Sequence, residues 1–210
     1  AAEDIVNGCT FDNNLPCIAE KEIVAVDSVV DELMHYMISE QGCYLASKEE
    51  QDALVSVVLK DGKLNRKCVG RDAKTLLGMI GVTVPDNIRC ITFEGPKEHP
   101  LITTELMMPI LGVVRAKDFD DAVEQAVWLE HGNRHSAHIH SKNIDNITKY
   151  AKAIDTAILV KNGPSYAALG FGGEGFCTFT IASRTGEGLT SASTFTKRRR
   201  CVMTDSLCIR

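Results

Sequence analysis

A three-layer α/β/α fold, with helices on both faces of a mostly parallel, twisted sheet, is the architecture this sequence predicts. Three observations carry it. Between Pro109 and Val160 apolar strand-like runs alternate with helix-period segments, and that order requires crossover connections and parallel pairing. The 210 residues are 44% hydrophobic and 24% charged, ordinary for a domain that buries roughly 70% of its unfolded surface. Upstream of Pro109, further amphipathic helices are separated by apolar strands and stopped by Gly or Pro.

The elements follow in chain order. A helical stretch over 1–14 runs into Leu15-Pro16. Pro16 lacks an N–H and disfavours helix at Leu15, so the chain should turn there before an apolar strand at 23–26. Ser28-x-x-Asp31 has the letters of a capping box for a helix bearing Val30, Leu33, Met34, Met37 and Ile38, which Gly42 ends. A second helix begins near Ser47, with Glu49 and Glu50 in its first turn, and Asp61-Gly62 breaks it. A third spans 73–80, and 88–93 reads as a strand. A buried strand over 109–115 leads to Asp118, which caps a helix with an apolar stripe at Phe119, Ala122, Val123, Ala126 and Val127; Gly132 stops it. Strand 136–140, helix 144–154 and strand 157–160 complete the run. After Asn162-Gly163-Pro164 the chain becomes rich in Gly, Ser and Thr; 176–181 alternates like a strand, and 194–204 reads as a projecting edge strand.

Charge and cysteine usage exclude several classes. A net charge of −5 disfavours nucleic acid as a partner, and the basic run Lys197-Arg198-Arg199-Arg200 reads as a solvated strand segment. Eight cysteines are spaced irregularly without a Cys-x-x-Cys, which predicts free thiols in a reducing cytoplasm. No long apolar run suits a membrane span, and no signal peptide is evident. The opening Ala1-Ala2-Glu3-Asp4 has the character of a helix interior, so the chain reads as a piece of a longer one.

Five features could carry chemistry. Cys17 follows Asp12-Asn13-Asn14-Leu15-Pro16, at a helix–strand junction that would hold a thiol rigidly beside a cleft, as a nucleophile needs; free cysteines are also common as small buried hydrophobes. Cys43, Cys68, Cys90 and Cys177 lie in or beside apolar segments, where burial favours the inert thiol. Gly170-Phe-Gly172-Gly-Glu-Gly175 matches a dinucleotide fingerprint by letter, but a β-like run follows it where a helix is required. His138 and His140 share a strand face without a carboxylate or cysteine at useful spacing, so no metal site is expected. His135, at a strand entrance, could act as an acid/base or orienting group or be an ordinary hydrogen-bonded histidine. Glu105, just before the strand at 109–115, is either a solvated loop residue or a double acceptor for a diol such as ribose.

Together these segments resemble the second half of an aldehyde dehydrogenase. Cys17 with its upstream turn occupies the place of that superfamily's nucleophile, Glu105-Leu-Met-Met-Pro109 resembles its Glu-x-Phe-Gly-Pro motif, and Phe171-Gly172-Gly173 matches its late Phe-Gly-Gly. Leu-Met-Met departs from the family's aromatic and glycine after Glu105, which puts the nicotinamide contacts there in question. The finer resemblance is to the CoA-acylating branch found in propanediol and ethanolamine utilisation microcompartments, carried by 11–22, Gly132-Asn-Arg-His135-Ser-Ala, Thr185-Gly-Glu-Gly188 and 194–201.

The resemblance implies oxidation of a short-chain aldehyde by NAD through a thioester on Cys17, followed by transfer of the acyl group to coenzyme A. It places Glu105 at the nicotinamide ribose, makes His135 a candidate for proton transfer, and offers the Cys17 N–H as an oxyanion donor. It also implies a catalytic domain over 1–190, an oligomerisation strand over 191–210, a dinucleotide-binding domain outside this chain, a homo-oligomer (dimer or tetramer), and a place in the cytoplasm within a microcompartment, with contact to its shell. Two rival readings are a cysteine acyltransferase or hydrolase without a dinucleotide, with His135 as its base, and a non-enzymatic assembly module.

Overall fold

A computed structural model describes residues 1–174, 177–181 and 188–204. Its centre is a four-stranded, all-parallel sheet in the order β1-β6-β5-β2, built from β1 (Glu22–Val26), β2 (Cys43–Leu45), β5 (Cys90–Glu94) and β6 (Ile110–Ala116). Glu22 pairs with Gly112, Ile91 with Ile110, and Cys43 with Cys90. Side chains alternate between the two faces of such strands, and the sequence uses both. Ile23, Ala25, Cys90, Leu111 and Val113 pack beneath α1 (Ala2–Thr10) and α2 (Asp27–Ser39). Ile91, Phe93, Ile110 and Val114 pack with α3 (Lys48–Val58), α4 (Ala73–Met79) and α5 (Pro100–Thr103). The predicted three layers are therefore present.

Local chemistry explains most helix starts. Ser47 and Glu50 form a reciprocal capping box on α3, Asp72 caps α4, and Asp118 caps α6 (Phe119–Leu129) by accepting from the Asp121 N–H. Asp61 and Gly62, both at positive φ (53° and 70°), close a two-residue hairpin between β3 (Leu59–Lys60) and β4 (Lys63–Leu64), so the pair that breaks α3 also turns the chain.

Several expectations are corrected. The capping box at Ser28 and Asp31 is not formed: α2 leaves β1 directly, Val26 is its N-cap, and Ser28 already lies inside the first turn. Pro16 does not force Leu15 out of helical dihedrals (φ −70°, ψ −37°); the first helix ends earlier, in a left-handed run at Asp12, Asn13 and Asn14. The strands at 110 and 136 do not share a ladder. Instead β7 (Ser136–Ile139) and β8 (Ile158–Lys161), joined through α7 (Ile144–Ile154), form a separate parallel pair.

Beyond β8 the strands expected late in the chain are absent among the described residues. Ile181 makes only an isolated bridge to Leu189, Ala192–Phe195 is a short 3-10 turn, and 196–204 is neither helix nor strand, with no ladder partner among the described residues. The run Lys197–Arg200 is exposed, as expected, but is not a strand. Cys177, expected to be buried, is exposed. Gly175, Phe176 and Thr185–Glu187 of the late motifs lie outside the described residues.

Candidate active site

The segment between α1 and β1 is built to present one thiol. Asp12, Asn13 and Asn14 are all left-handed (φ 47°, 50° and 66°), a conformation that Asn and Asp tolerate best among residues with a Cβ. Side-chain amides hold it. Asn13 donates to the Gly70 carbonyl at 3.0 Å; Asn14, buried, donates to the carbonyls of Cys9 (3.0 Å) and Glu20 (2.8 Å). A turn follows in which the Ala19 N–H donates to the Pro16 carbonyl at 2.8 Å. Ile18 at its centre is buried with Ile158, Val160 and Leu169, while the preceding Cys17 is exposed. Of the described cysteines, Cys9, Cys43, Cys68 and Cys90 are buried, as expected of structural thiols.

Glu105 is brought alongside by Gly70. The Gly70 carbonyl accepts from Asn13 and its N–H donates to the Met107 carbonyl at 2.9 Å, so one residue clasps the nucleophile turn to the loop before β6. Gly70 sits at φ 69° with Leu15 methyls against it, a position suited to glycine. In that loop Leu106 and Met108 are buried and Glu105 is exposed. Lys21 lies between the two. Its Nζ is 2.6 Å from Asn14 Oδ1, 3.1 Å from the Asn14 carbonyl and 3.9 Å from Glu105 Oε1.

His135 lies just before β7. Its N–H donates to Glu130 Oε1 at 3.2 Å, its carbonyl accepts from Ile158, and its ring Nδ1 lies 3.1 Å from Ser136 Oγ. Cys17, Lys21, Glu105 and His135 all line one cavity of about 1180 Å³ running between β1 and β7. No hydrogen bond joins Cys17, Glu105 and His135 among themselves. His138 and His140 line the same cavity; burial pushes His138 down to about 4, with His140 adding to the effect, so it is neutral at physiological pH. No set of three ligating side chains that could hold a metal occurs among the described residues. Gly170 and Gly172 adopt positive φ, and Gly170 caps the 3-10 turn Ser165–Leu169. A smaller cleft of about 660 Å³ beside Glu94 and Arg115 holds none of these groups, and Arg115 there is engaged by Asp27, Asp31 and Glu94.

Sequence reasoning missed four members: Asn14, Glu20, Lys21 and Gly70. Glu20 is buried, accepts from the Ser165 N–H at 2.9 Å through Oε1 and leaves Oε2 without a partner. Any side chain on Gly8 would collide with its carboxylate. Burial pushes Glu20 up from the ordinary 4.5 to about 7, against its hydrogen bonds to Ser165 and the charge of Lys21. Between those two values the folded chain holds a proton the unfolded chain has released, so stability falls as pH rises across that window, at up to about 1.4 kcal/mol per pH unit. Glu22, also raised to about 7 by burial, acts in the same direction. Denaturant titrations at pH 5 and pH 8 should show the loss, and Glu20→Gln should remove part of it. An unaltered slope in that variant would mean Glu20 is not protonated in the fold.

The aldehyde dehydrogenase family model matches residues 86–194, which include Glu105 and His135. The chain belongs to this family. Within it, the chain is 48% identical over 98% of its length to the acetylating acetaldehyde dehydrogenase of Salmonella typhimurium and 46% identical over its full length to the CoA-propanoylating propanal dehydrogenase of the same organism. It spans 45% of each, about half the length of the curated relatives it matches. Among solved structures, a propionaldehyde dehydrogenase from the Clostridium phytofermentans fucose utilisation microcompartment aligns over the whole chain and 48% of its own, at 79% identity and a TM-score of 0.95. The Rhodopseudomonas palustris propionaldehyde dehydrogenase with bound propionyl-CoA aligns over 96% of this chain and 45% of its own, at 52% identity and 0.92.

Proposed function

We propose that this chain is the catalytic part, residues 1–190, of a CoA-acylating aldehyde dehydrogenase that converts a short-chain aldehyde to its acyl-CoA. The observation that carries the reading is the gathering of Cys17, Glu105 and His135 around one cavity, with Cys17 the exposed thiol of an anchored turn. Its relatives supply support. The Rhodopseudomonas palustris enzyme has been solved with CoA and an acylated cysteine. The Clostridium phytofermentans enzyme has been solved with a cysteine and with a histidine replaced by alanine, and those two residues stand as far apart in that chain as Cys17 and His135 do here.

In this reading Cys17 adds as thiolate to the aldehyde carbon and, once the hydride has left, retains the acyl group as a thioester until the CoA thiol displaces it. Bound NAD supplies the hydride acceptor. The exposed Glu105 carboxylate lines the cavity, and a carboxylate of this kind suits a ribose diol as a double acceptor. His135, which lines the same cavity, takes or returns the proton of the thiol or thiohemiacetal in this reading. The test is an assay of a full-length enzyme carrying this chain with acetaldehyde or propionaldehyde, NAD and CoA. Formation of NADH and acyl-CoA in equal amounts is expected; no nicotinamide reduction with any aldehyde, together with transfer to CoA from an acyl-thioester donor supplied in a parallel assay, would replace this reading with a plain acyltransferase.

The remaining parts of the proposal concern assembly and place. Residues 191–210 act as an oligomerisation strand that gains its ladder from a second copy; within one chain 196–204 is neither helix nor strand, and unpaired backbone invites such pairing. Deleting 191–210 should lower the mass seen by light scattering from that of a dimer or tetramer, and an unchanged mass would remove the tail from that role. No helix among the described residues is long and apolar enough to cross a membrane. We place the enzyme in the cytoplasm, within a microcompartment and against its shell, as the Clostridium phytofermentans relative's origin suggests.

A further inference from the structure

Lys21 stands out among the groups that the mechanism above leaves unused. It belongs to the charged string Glu20-Lys21-Glu22, where a lysine is ordinarily solvated, yet its side chain is only 17% exposed. Its ammonium makes two hydrogen bonds to a single residue, Asn14 Oδ1 at 2.6 Å and the Asn14 carbonyl at 3.1 Å, and its remaining direction faces Glu105 Oε1 at 3.9 Å. Asn14 is the last residue of the left-handed run that delivers Cys17. One cation thus touches both the turn that carries the thiol and the carboxylate across from it.

We propose that Lys21 is a positioning residue for the reaction described above, fastening Glu105 to the Asn14 turn so that the dinucleotide contact and the nucleophile keep a fixed separation. The proposal rests on the functional reading for the role of Glu105, but the fastening itself does not. A compact ammonium with three donors can serve two acceptors on one side and a third on the other, and a buried one needs such partners to remain charged. Burial lowers its affinity for a proton and Glu105 is the chief group that restores it, with Cys9, Cys17 and Glu22 contributing less.

Two measurements test this. The first needs no catalysis. Glu105→Gln, an exposed and nearly isosteric change, removes the opposing charge, so more of Lys21 is the free amine at pH 8. Its labelling by a limiting amine-acylating reagent, read by peptide mass spectrometry, should rise by about threefold or more relative to Lys48 in the same sample. Unchanged relative labelling would overturn the fastening whatever the enzyme's activity. The second is a cycle in the full-length enzyme. Lys21→Met should raise KM for NAD by about tenfold with kcat within about threefold, Lys21→Arg should restore most of it, and adding Glu105→Gln to Lys21→Met should raise KM little further. Multiplying effects in the double variant would show that the two residues act independently and refute the coupling. Should Lys21→Met fail to fold, the labelling result decides. An enzyme that makes no acyl-CoA while Lys21 labelling responds to Glu105→Gln would defeat the functional reading and leave the fastening intact.

Discussion

Cys17→Ala in a full-length enzyme carrying this chain will lower acyl-CoA formation by at least about 10³-fold while leaving the fold unchanged, because a covalent route disappears when its only nucleophile does. The fold should survive for a visible reason: Cys17 is exposed, whereas Ile18 beside it is buried and the turn is held by Asn13 and Asn14. The same site predicts selective alkylation. Limiting iodoacetamide at neutral pH should modify Cys17 ahead of the buried Cys9, Cys43, Cys68 and Cys90, and activity should fall in step with Cys17 modification. Cys177 and Cys201 are exposed and will label as well, but without loss of activity. Aldehyde with NAD should protect Cys17 as its acyl thioester. Full inactivation with Cys17 unmodified by peptide mapping would remove it as the nucleophile.

The largest stability effect is expected at Phe93. It is fully buried in the central strand β5, its ring lies 4.8 Å from that of His99, and it occupies space that two glycines leave open. A methyl on Gly95 would come within 3.3 Å of the Phe93 ring, and one on Gly112, across the ladder, within 3.1 Å of it and into Ile102. Because Phe93 is fully buried in a large apolar cluster, Phe93→Ala should cost about 3–5 kcal/mol, the range for truncating a buried aromatic. Denaturant titration of the purified chain measures this. A loss below about 1 kcal/mol would mean that the surrounding helices collapse onto the space.

Much of this fold is legible in the sequence where local periodicity and burial agree. The stripe Phe119–Val127, the cap at Asp118 and the buried run at 110–116 each specify their element without help from distant residues, and each is found. Legibility fails where the deciding partner is remote. Ser28 and Asp31 have capping-box letters, but where a helix begins depends on where β1 lets go of β6. An alternating tail becomes a strand only when another strand meets it. Cys17 was readable from its junction and its motif, and Glu105 and His135 from theirs. Lys21 was not, because Glu-Lys-Glu has no signature that separates a buried clamp from a solvated surface. Its contacts exist only once three successive residues turn left-handed.

The pairing of β1 with β6 also bears on how the chain is made. Glu22 meets Gly112, so β1 waits for about 90 more residues to be synthesised before its ladder partner exists. At typical synthesis rates that delay is about 5–20 s, long against the sub-millisecond collapse of small chains. Throughout it the apolar strand 23–26 and the Ile5 and Val6 face of α1 are without the core they will share. Nascent chains that stop short of Ala116 should therefore be chaperone clients, and slowing translation between Val26 and Ile110 should lower the soluble yield, whereas slowing it after Lys161, with β1 through β8 already made, should not.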